Sequence, residues 1–249
     1  MLETLRTARG IVRSLRTYYG GGATRRHAMD ALYGRFVRAG DLVFDVGAHV
    51  GDRVAAFRRL GARVIAVEPQ PALVCTLRLL YGRDTSVIVE PQAAGAAPGE
   101  VELLLNADNP TVATASVDFI AAAGGAAGWE GQRWTRRVTV PVTTLDALIA
   151  RHGEPAFIKI DVEGFEAEAL AGLTRPPPAL SFEFTTIQRD VALAALERCA
   201  ALGYARFDAA LGESCALVNN AWIPADAMRR WLAELPHAAN SGDVYAVRD

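Results

Sequence analysis

A glycine-containing loop with an aspartate at each end is the first segment whose residue types and spacing could bind a ligand. Asp45 ends an apolar run, Gly47, Ala48 and Gly51 follow it, and Asp52 opens a helical pattern. Glycines between a strand and a helix let the backbone turn sharply and approach a ligand closely. The spacing Gly-x-x-x-Gly differs from the Gly-x-Gly-x-x-Gly fingerprint of dinucleotide sites.

The charge of this loop favours a cationic ligand. Carboxylates at positions 45 and 52 would repel a pyrophosphate, which binds bare N–H groups and the positive end of a helix dipole. S-adenosylmethionine carries an ammonium and a sulfonium and has no phosphate. The loop therefore predicts S-adenosylmethionine as the cofactor, bound by Asp45, Gly47, Ala48, Gly51 and Asp52.

A later acid predicts the ribose end of the same site. Glu68 ends an apolar run about 20 residues past the loop, where an acid in such folds accepts hydrogen bonds from ribose hydroxyls. Pro69 follows it directly. Gln92 and Ala93 come just after the next short strand, where we expect the adenine ring.

Further carboxylates follow a buried strand at positions 157–161. In open α/β sheets, ligands bind outside the carboxyl ends of the strands. Asp161 is expected to contact the methionine part of the donor or the acceptor, and Glu163 is the leading candidate for a general base. The alternative for Glu163 is a first-turn acid that the helix dipole stabilises. Glu166 is expected to be a solvated helix residue.

Two histidines are alternative bases. His49 lies in the glycine loop, and its titration near neutral pH suits proton transfer. An equally good explanation is that His49 only makes a backbone hydrogen bond in the loop and takes no part in proton transfer. His27 lies in the basic N-terminal region, where a cap could close over the acceptor.

A magnesium ion is an alternative use of the carboxylates. Asp161, Glu163 and Glu183 could together hold an ion that lowers the pKa of an acceptor hydroxyl. Nothing in the sequence demonstrates this, so no metal site is predicted.

The elements that must position these residues alternate along the chain. Short apolar runs alternate with helical patterns, and this alternation predicts an α/β fold with a mostly parallel sheet and helices on both faces. The predicted strands are 42–46, 63–67, 87–89, 100–105, 137–142, 157–161 and 180–184, with two antiparallel strands within 205–218 and 243–247. The predicted helices are 52–60, 71–81, 163–171, 190–202 and 225–234.

Two regions interrupt this alternation. Residues 1–40 carry eight arginines against Glu3 and Asp30 and predict a basic helical cap on a domain spanning 41–249. The first helix of the cap either docks on the domain, lies on a membrane surface or contacts an anionic substrate. Residues 106–136 predict an irregular lid or insertion, in which Trp129 and Trp134 stack on the acceptor or pack beneath the lid.

Composition narrows the setting. The net charge of −2 gives no indication of binding to nucleic acid. No apolar run reaches the length of about 18 residues that a membrane-spanning helix needs. Three cysteines without metal-ligand spacing favour a reduced, cytoplasmic protein. The expected partner is a small-molecule, sugar or glycan acceptor, and a homo-oligomer is possible.

Three stretches resemble the FkbM-type methyltransferase family. They cover residues 44–52, 67–71 and 158–166, and Lys-Ile-Asp-Val-Glu-Gly-Phe-Glu in the last is the most specific part. The resemblance extends over residues 40–247. It implies a Rossmann-like class I methyltransferase fold with a seven-stranded sheet, and S-adenosylmethionine-dependent methylation of a hydroxyl on a sugar or natural product. His49 departs from the family, which commonly has asparagine there.

Two other functions compete with a methyltransferase. A NAD(P)-dependent oxidoreductase or epimerase needs the dinucleotide fingerprint, which the chain lacks, and many such enzymes use a Tyr-x-x-x-Lys pair. The only lysine is Lys159, and Pro155 stands four residues before it. A binding module without catalysis is disfavoured because the acids at positions 45, 68, 161 and 163 are all present.

Overall fold

Short apolar runs rich in valine and isoleucine form the strands of two sheets. The structure is a computed structural model that describes residues 2–219 and 221–248. Its strands are β1 (Leu42–Val46), β2 (Arg63–Val67), β3 (Val87–Glu90), β4 (Ala93–Ala94), β5 (Gly99–Leu105), β6 (Arg136–Thr143), β7 (Phe157–Ile160), β8 (Ala179–Thr185), β9 (Arg206–Leu211) and β10 (Ser241–Val247). The main sheet has seven strands in the order β3-β2-β1-β7-β8-β10-β9. Within this sheet β10 pairs antiparallel with β8 and β9, and the other described strand pairs are parallel.

Helices pack on both faces of the main sheet. They are α1 (Leu2–Tyr19), α2 (Gly22–Tyr33), α3 (Asp52–Arg59), α4 (Pro71–Tyr81), α5 (Val117–Ala123), α6 (Leu145–His152), α7 (Glu166–Ala171), α8 (Arg189–Ala201) and α9 (Ala225–Glu234). Phe44 and Val46 of β1 face a core that α6 to α9 complete, whereas Val43 faces a core with α2, α3 and α4. Burial of alternate side chains on opposite faces is what a parallel sheet between helical layers requires. The predicted α/β, Rossmann-like class I methyltransferase fold is confirmed.

Local signals explain where several helices begin. Pro71 stands in the first turn of α4, where its missing N–H costs nothing. The hydroxyls of Ser116 and Thr144 accept hydrogen bonds from the N–H groups of Phe119 and Ala147, which caps α5 and α6. These caps fix the entry of the chain into helices that flank the carboxyl ends of the strands.

The structure differs from the sequence expectation in the middle of the chain. Residues 106–136 are not irregular throughout, because they contain α5 and a 3₁₀ turn at Pro110–Val112. Phe119 and Trp129 form a small core of their own in this segment. The short β4 pairs with β6, which adds a three-stranded sheet of order β4-β6-β5 beside the main one. That this segment moves as a lid stays a prediction.

The N-terminal helix lies against this middle segment. A Cβ built on the buried Gly10 of α1 would stand 2.8 Å from the Pro110 ring and 3.1 Å from the Ala107 carbonyl oxygen. Arg6 also donates hydrogen bonds to the Asp108 carboxylate. Close contact therefore joins α1 to residues 107–110, although they are about 100 positions apart in the chain. Within the described residues, no helix is long and apolar enough to cross a membrane.

Candidate active site

A cleft opens at the carboxyl ends of β1, β2 and β7. In open α/β sheets, ligands bind in a crevice at this edge. Its walls come from the loop after β1, the residues after β2 and β3, the loop after β7, α1 and the small sheet. The predicted site residues that line it are Asp45, Gly47, Ala48, His49, Asp52, Glu68, Pro69, Gln92, Ala93, Asp161 and Glu163. Gly51 and Glu183, also singled out from the sequence, do not line it.

Gly47 lets the loop pass close to the neighbouring strand end. Its φ of +84° lies in the left-handed region, and a Cβ there would stand 1.7 Å from the Asp161 carbonyl oxygen. The N–H groups of Gly47 and Ala48 both donate to the Val67 carbonyl oxygen, over 2.9 and 3.1 Å. The loop is therefore fixed to both adjacent strands and does not depend on a ligand for its shape.

Gly51 has a packing role instead of a cleft position. Its φ is +81°, and a Cβ there would stand 2.7 Å from the Tyr81 ring and 2.8 Å from Leu77 of α4. The Tyr81 hydroxyl donates to the Gly51 carbonyl oxygen over 2.7 Å. The glycine lets α4 approach the loop.

Asp45 presents an unsatisfied carboxylate oxygen at the base of the cleft. The side chain is 1% exposed, and its Oδ2 has no hydrogen-bond partner among the described residues. Burial raises the pKa of Asp45 to about 7, against the opposing charge of Lys159. A buried carboxylate oxygen without a partner is suited to accept a hydrogen bond from a cationic ligand.

Glu68 is held in a fixed orientation by two backbone groups. Its Oε2 accepts a hydrogen bond from the His49 N–H over 2.9 Å, and its Oε1 accepts one from the Gln70 N–H over 2.8 Å. Burial raises the pKa of Glu68 to about 8, although both hydrogen bonds act to lower it. Each oxygen keeps a lone pair with which to accept from a diol.

Asp52 does not add an uncompensated negative charge to the loop. Its Oδ2 lies 2.5 Å from Arg53 and 3.3 Å from Arg25, and both arginines also contact Glu213 at 2.7 Å. The charge argument drawn from Asp52 in the sequence is therefore weaker than expected. The remaining argument for a cationic ligand depends on the carboxyl groups of Asp45 and Glu68.

His49 has a left-handed backbone conformation. Its φ of +49° falls in the left-handed region, where asparagine is favoured over most residues, which explains why asparagine is the common residue in the family it resembles. The imidazole packs edge-on against Tyr18, and its Nε2 lies 3.4 Å from the Thr111 hydroxyl. Burial lowers the pKa of His49 to about 4, so it is neutral but a weak proton acceptor near neutral pH.

Lys159 holds Asp161 in its charged form. The Nζ of this buried lysine lies 2.6 Å from Asp161 Oδ2 and 3.6 Å from Asp243 Oδ1. Burial acts to raise the pKa of Asp161, but Lys159 outweighs it and keeps the pKa below its usual value. The lysine therefore forms an ion pair with the acid two residues after it in the chain.

Glu163 is the acid best suited to accept a proton. It is 7% exposed, and its Oε2 has no partner in the described part of the chain. Burial, and next the charge of Asp161, raise the pKa of Glu163 well above its usual value. Once deprotonated, a carboxylate with a raised pKa is a stronger base than an ordinary surface glutamate.

Glu166 does not lie in solvent, so that expectation is wrong. It is 3% exposed and accepts hydrogen bonds from the N–H groups of Val162 at 3.0 Å and Gly164 at 3.1 Å. The cause is a turn through two left-handed residues, Glu163 at φ +53° and Gly164 at φ +85°. This turn delays α7 until Glu166 and places the carboxylate under the loop.

Three aromatic candidates lie away from the cleft. His27 is exposed on α2 and does not line the cleft. Trp129 and Trp134 pack against Phe119, and their indole N–H groups donate to Asn240 Oδ1 and the Val112 carbonyl oxygen. The structure therefore gives the tryptophans a packing role and does not place them where an acceptor could stack on them.

Several lining residues had no signal in the sequence. They are Tyr18 from α1, Arg53 from α3, Thr111 from the 3₁₀ turn and Glu213 from the turn after β9. Each stands outside the motifs and reaches the cleft through a tertiary contact. Only the excess of arginines in residues 1–40 hinted at the ion pairs around Asp52.

Comparison with known proteins gives one family match. The family profile described as the methyltransferase FkbM domain matches residues 45–202. No curated protein matches the chain.

Solved structures with a similar fold include methyltransferases of several kinds. A precorrin-6Y C5,15-methyltransferase from Geobacter metallireducens has 11% identity and a TM-score of 0.46, covering 90% of this chain and 87% of that one. Fibrillarin from Aeropyrum pernix, solved with natively bound S-adenosyl-L-methionine, has 11% identity and a TM-score of 0.46, covering 88% and 73%. An S-adenosylmethionine-dependent O-methyltransferase from Thermotoga maritima has 11% identity and a TM-score of 0.42, covering 89% and 64%.

Proposed function

Because this chain belongs to the FkbM methyltransferase family, we propose that it methylates a hydroxyl oxygen of a small organic acceptor, such as a sugar or a natural product. The donor that the family implies is S-adenosylmethionine. The observation that carries the oxygen-directed part is Glu163, a buried carboxyl group that faces the cleft without a hydrogen-bond partner among the described residues.

The residues present fit the donor. Asp45 Oδ2, which lacks a partner in the described chain, can accept a hydrogen bond from the donor's ammonium. Glu68 offers two oriented oxygens to the ribose hydroxyls. Gln92 and Ala93 line the end of the cleft expected for the adenine ring. Direct contacts of Asp52, Pro69, Gly47 and Ala48 with the donor stay predictions.

The chemistry then divides between the donor and the protein. When bound, S-adenosylmethionine supplies a methyl group on a positively charged sulfur. Glu163 would take the proton of the acceptor hydroxyl on its carboxylate when that oxygen receives the methyl group. Asp161, fixed by Lys159 at 2.6 Å, orients the acceptor by accepting a hydrogen bond.

An assay that separates donor from acceptor tests this function. Calorimetry with S-adenosylhomocysteine and with NADH identifies the cofactor, and a panel of sugars, phenols and amines with labelled donor identifies the accepting atom. We expect binding of S-adenosylhomocysteine and label transfer to hydroxyl-bearing acceptors. Binding of NADH alone would contradict the donor, and transfer only to amines would contradict the O-methylation.

A further inference from the structure

Three carboxyl groups meet beside the cleft. One carboxylate oxygen from each of Asp161, Glu163 and Glu183 lies within 4.8 Å of the other two. The sheet register explains the meeting, because Ile160 of β7 pairs with Phe182 of β8 and the next residues are Asp161 and Glu183. The left-handed turn then returns Glu163 toward the same point.

Two carboxylate oxygens of this cluster lack hydrogen-bond partners among the described residues. Glu163 is more than nine-tenths buried, and its Oε2 makes no hydrogen bond within the described residues. Glu183 Oε2 is likewise buried without a partner there. Buried polar atoms in folded proteins nearly always have a partner, so two such oxygens in one cluster indicate a ligand.

Lys159 alone does not balance the charge of the cluster. Lys159 contacts Asp161, but it also faces Asp243 at 3.6 Å. The nearby Glu166 is held by backbone N–H groups and brings another acid to the same loop. Several buried carboxyl groups around one ammonium are costly unless they are protonated or meet a further cation.

We propose that Asp161, Glu163 and Glu183 bind a divalent cation with a preference for oxygen ligands, of the Mg²⁺, Mn²⁺ or Ca²⁺ class. Such ions take carboxylate oxygens at about 2.0–2.6 Å, so two ligands on opposite sides of one ion are about 4–5 Å apart. That is the scale of the spacing in this cluster.

The position of the ion gives it a part in the reaction. Asp161 and Glu163 line the cleft and Glu183 does not, so the protein ligands approach from one side and the cleft leaves the other side open. An acceptor hydroxyl or a water molecule completes the coordination there, and the ion lowers the pKa of that hydroxyl. Glu163 ligates the ion through one carboxylate oxygen and keeps the other to take the hydroxyl proton. This part of the inference rests on the proposed function, whereas the binding of the ion does not.

Manganese binding tests the site without any methyl transfer. The full chain is treated with a chelator and titrated with Mn²⁺, and the free ion is followed by electron paramagnetic resonance. We expect about one tightly bound Mn²⁺ per chain, displaced by Mg²⁺ or Ca²⁺. We expect Glu183→Gln to weaken binding by about ten-fold or more because it removes one anionic ligand.

The matched control is Glu168→Gln, which changes an exposed acid on α7 outside the cluster and should leave Mn²⁺ affinity unchanged. S-adenosylhomocysteine binding is measured on the same samples. If the wild-type chain binds the donor product but retains no Mn²⁺, the metal site is wrong and the proposed function stands. If Mn²⁺ binds but no hydroxyl acceptor is methylated, the site stands and the proposed function is wrong.

A second measurement on the wild-type chain covers the case in which Glu183→Gln does not fold. Crystals soaked with Mn²⁺ should give an anomalous scattering peak between the three carboxylates. A peak elsewhere, or none at a concentration that saturates the solution signal, overturns the assignment.

Discussion

At the scale of single residues, the chemistry of the cleft depends on a strained turn after β7. Glu163 and Gly164 both have positive φ, and only glycine adopts that region freely. Because of this turn, Glu163 lies before α7 and not within it. Its side chain lines the cleft and is 7% exposed. Backbone strain of this kind is commonly found at functional sites, and here it accompanies an acid with a raised pKa.

Replacing Glu163 should separate catalysis from donor binding. We expect Glu163→Gln to lower the single-turnover rate of methyl transfer by about 10²- to 10⁴-fold, because an amide cannot accept the proton. Affinity for S-adenosylhomocysteine should change little, since Asp45 and Glu68 are untouched. Rapid-quench kinetics and calorimetry measure the two effects.

Glu168→Gln is the control for this prediction as well, since it makes the same chemical change on the same segment in solvent. A single-turnover rate for Glu163→Gln equal to that of the control would remove Glu163 as the base.

Replacing His49 decides whether it takes part in proton transfer. We expect His49→Asn to leave the rate within about three-fold and to stabilise the fold slightly, because asparagine tolerates the left-handed region better. Its lowered pKa, about 4, already makes His49 a weak base. A loss of rate of about 100-fold on the single-turnover assay would assign the proton transfer to His49 instead.

At the scale of elements, the close approach of β1 to β7 depends on Gly47. A Cβ there meets the Asp161 carbonyl oxygen at 1.7 Å, whereas Gly40, with a φ of +88°, has no atom within 4 Å of a built Cβ. We expect Gly40→Ala to cost about 1–2 kcal/mol of unfolding free energy for its positive φ alone. Gly47→Ala should cost at least about 3 kcal/mol more, because the strands must also move apart.

Urea denaturation followed by circular dichroism measures both costs. Equal losses in the two variants would mean that β1 and β7 separate easily, and that Gly47 is needed only for its backbone angle.

The contact of α1 with residues 107–110 should depend on Gly10. We expect Gly10→Leu to displace α1, because even a Cβ stands 2.8 Å from the Pro110 ring. Hydrogen exchange should then become faster in α1 and at residues 107–112 together. Ala8→Leu, at an exposed position of the same helix, should leave both segments protected.

Fast exchange confined to α1 in the Gly10→Leu variant would contradict this coupling, and would mean that residues 107–112 hold their structure without the helix.

The elements were largely predictable from the sequence where local signals decide them. The bounds of β1, β2, α4 and α9 were predicted without error, because periodicity, Pro71 and Gly82 mark the ends of these elements. The start of α7 was predicted three residues early, since an ordinary glutamate gives no sign of a left-handed backbone. Two elements were missed because tertiary contacts, and not local pattern, stabilise them. The two-residue β4 pairs with β6, and α5 packs on Trp129 through Phe119.

At the scale of the whole molecule, the buried acids make stability depend on pH. Burial raises the pKa of Asp45 to about 7 and of Glu68 to about 8. In the unfolded chain both groups have pKa values near 4. The folded state therefore binds more protons between these values, and its stability is full below about pH 4 and falls as the pH rises toward 7 to 8.

Asparagine at position 45 isolates this effect because it resembles the protonated acid. We expect the free energy of unfolding of Asp45→Asn, relative to wild type, to increase from about pH 4 to about pH 7 and to level off above it, by a few kcal/mol at most. Urea denaturation at several pH values without ligand measures the difference. A difference that does not vary with pH would mean that Asp45 is charged in the folded protein throughout.

The site as a whole was predicted in part. Motif residues after β1, β2, β3 and β7 meet at one edge of the sheet, because parallel strands bring their carboxyl ends together. Tyr18 and Glu213 reach the cleft from opposite ends of the chain, and no local pattern indicates a contact over that separation. The sequence therefore predicted the residues that line the cleft after these strands, but not the side formed by α1 and the turn after β9.

The residues that form the ion pairs around Asp52 are synthesised at different times on the ribosome. Arg53 and Glu213 are 160 positions apart, and a growing chain lengthens by about 5–20 residues per second. The donor loop and its two arginines therefore emerge on the order of ten seconds before the glutamate that joins them. A nascent chain that stops before Glu213 carries the three methyltransferase motifs but lacks the glutamate that pairs with both arginines.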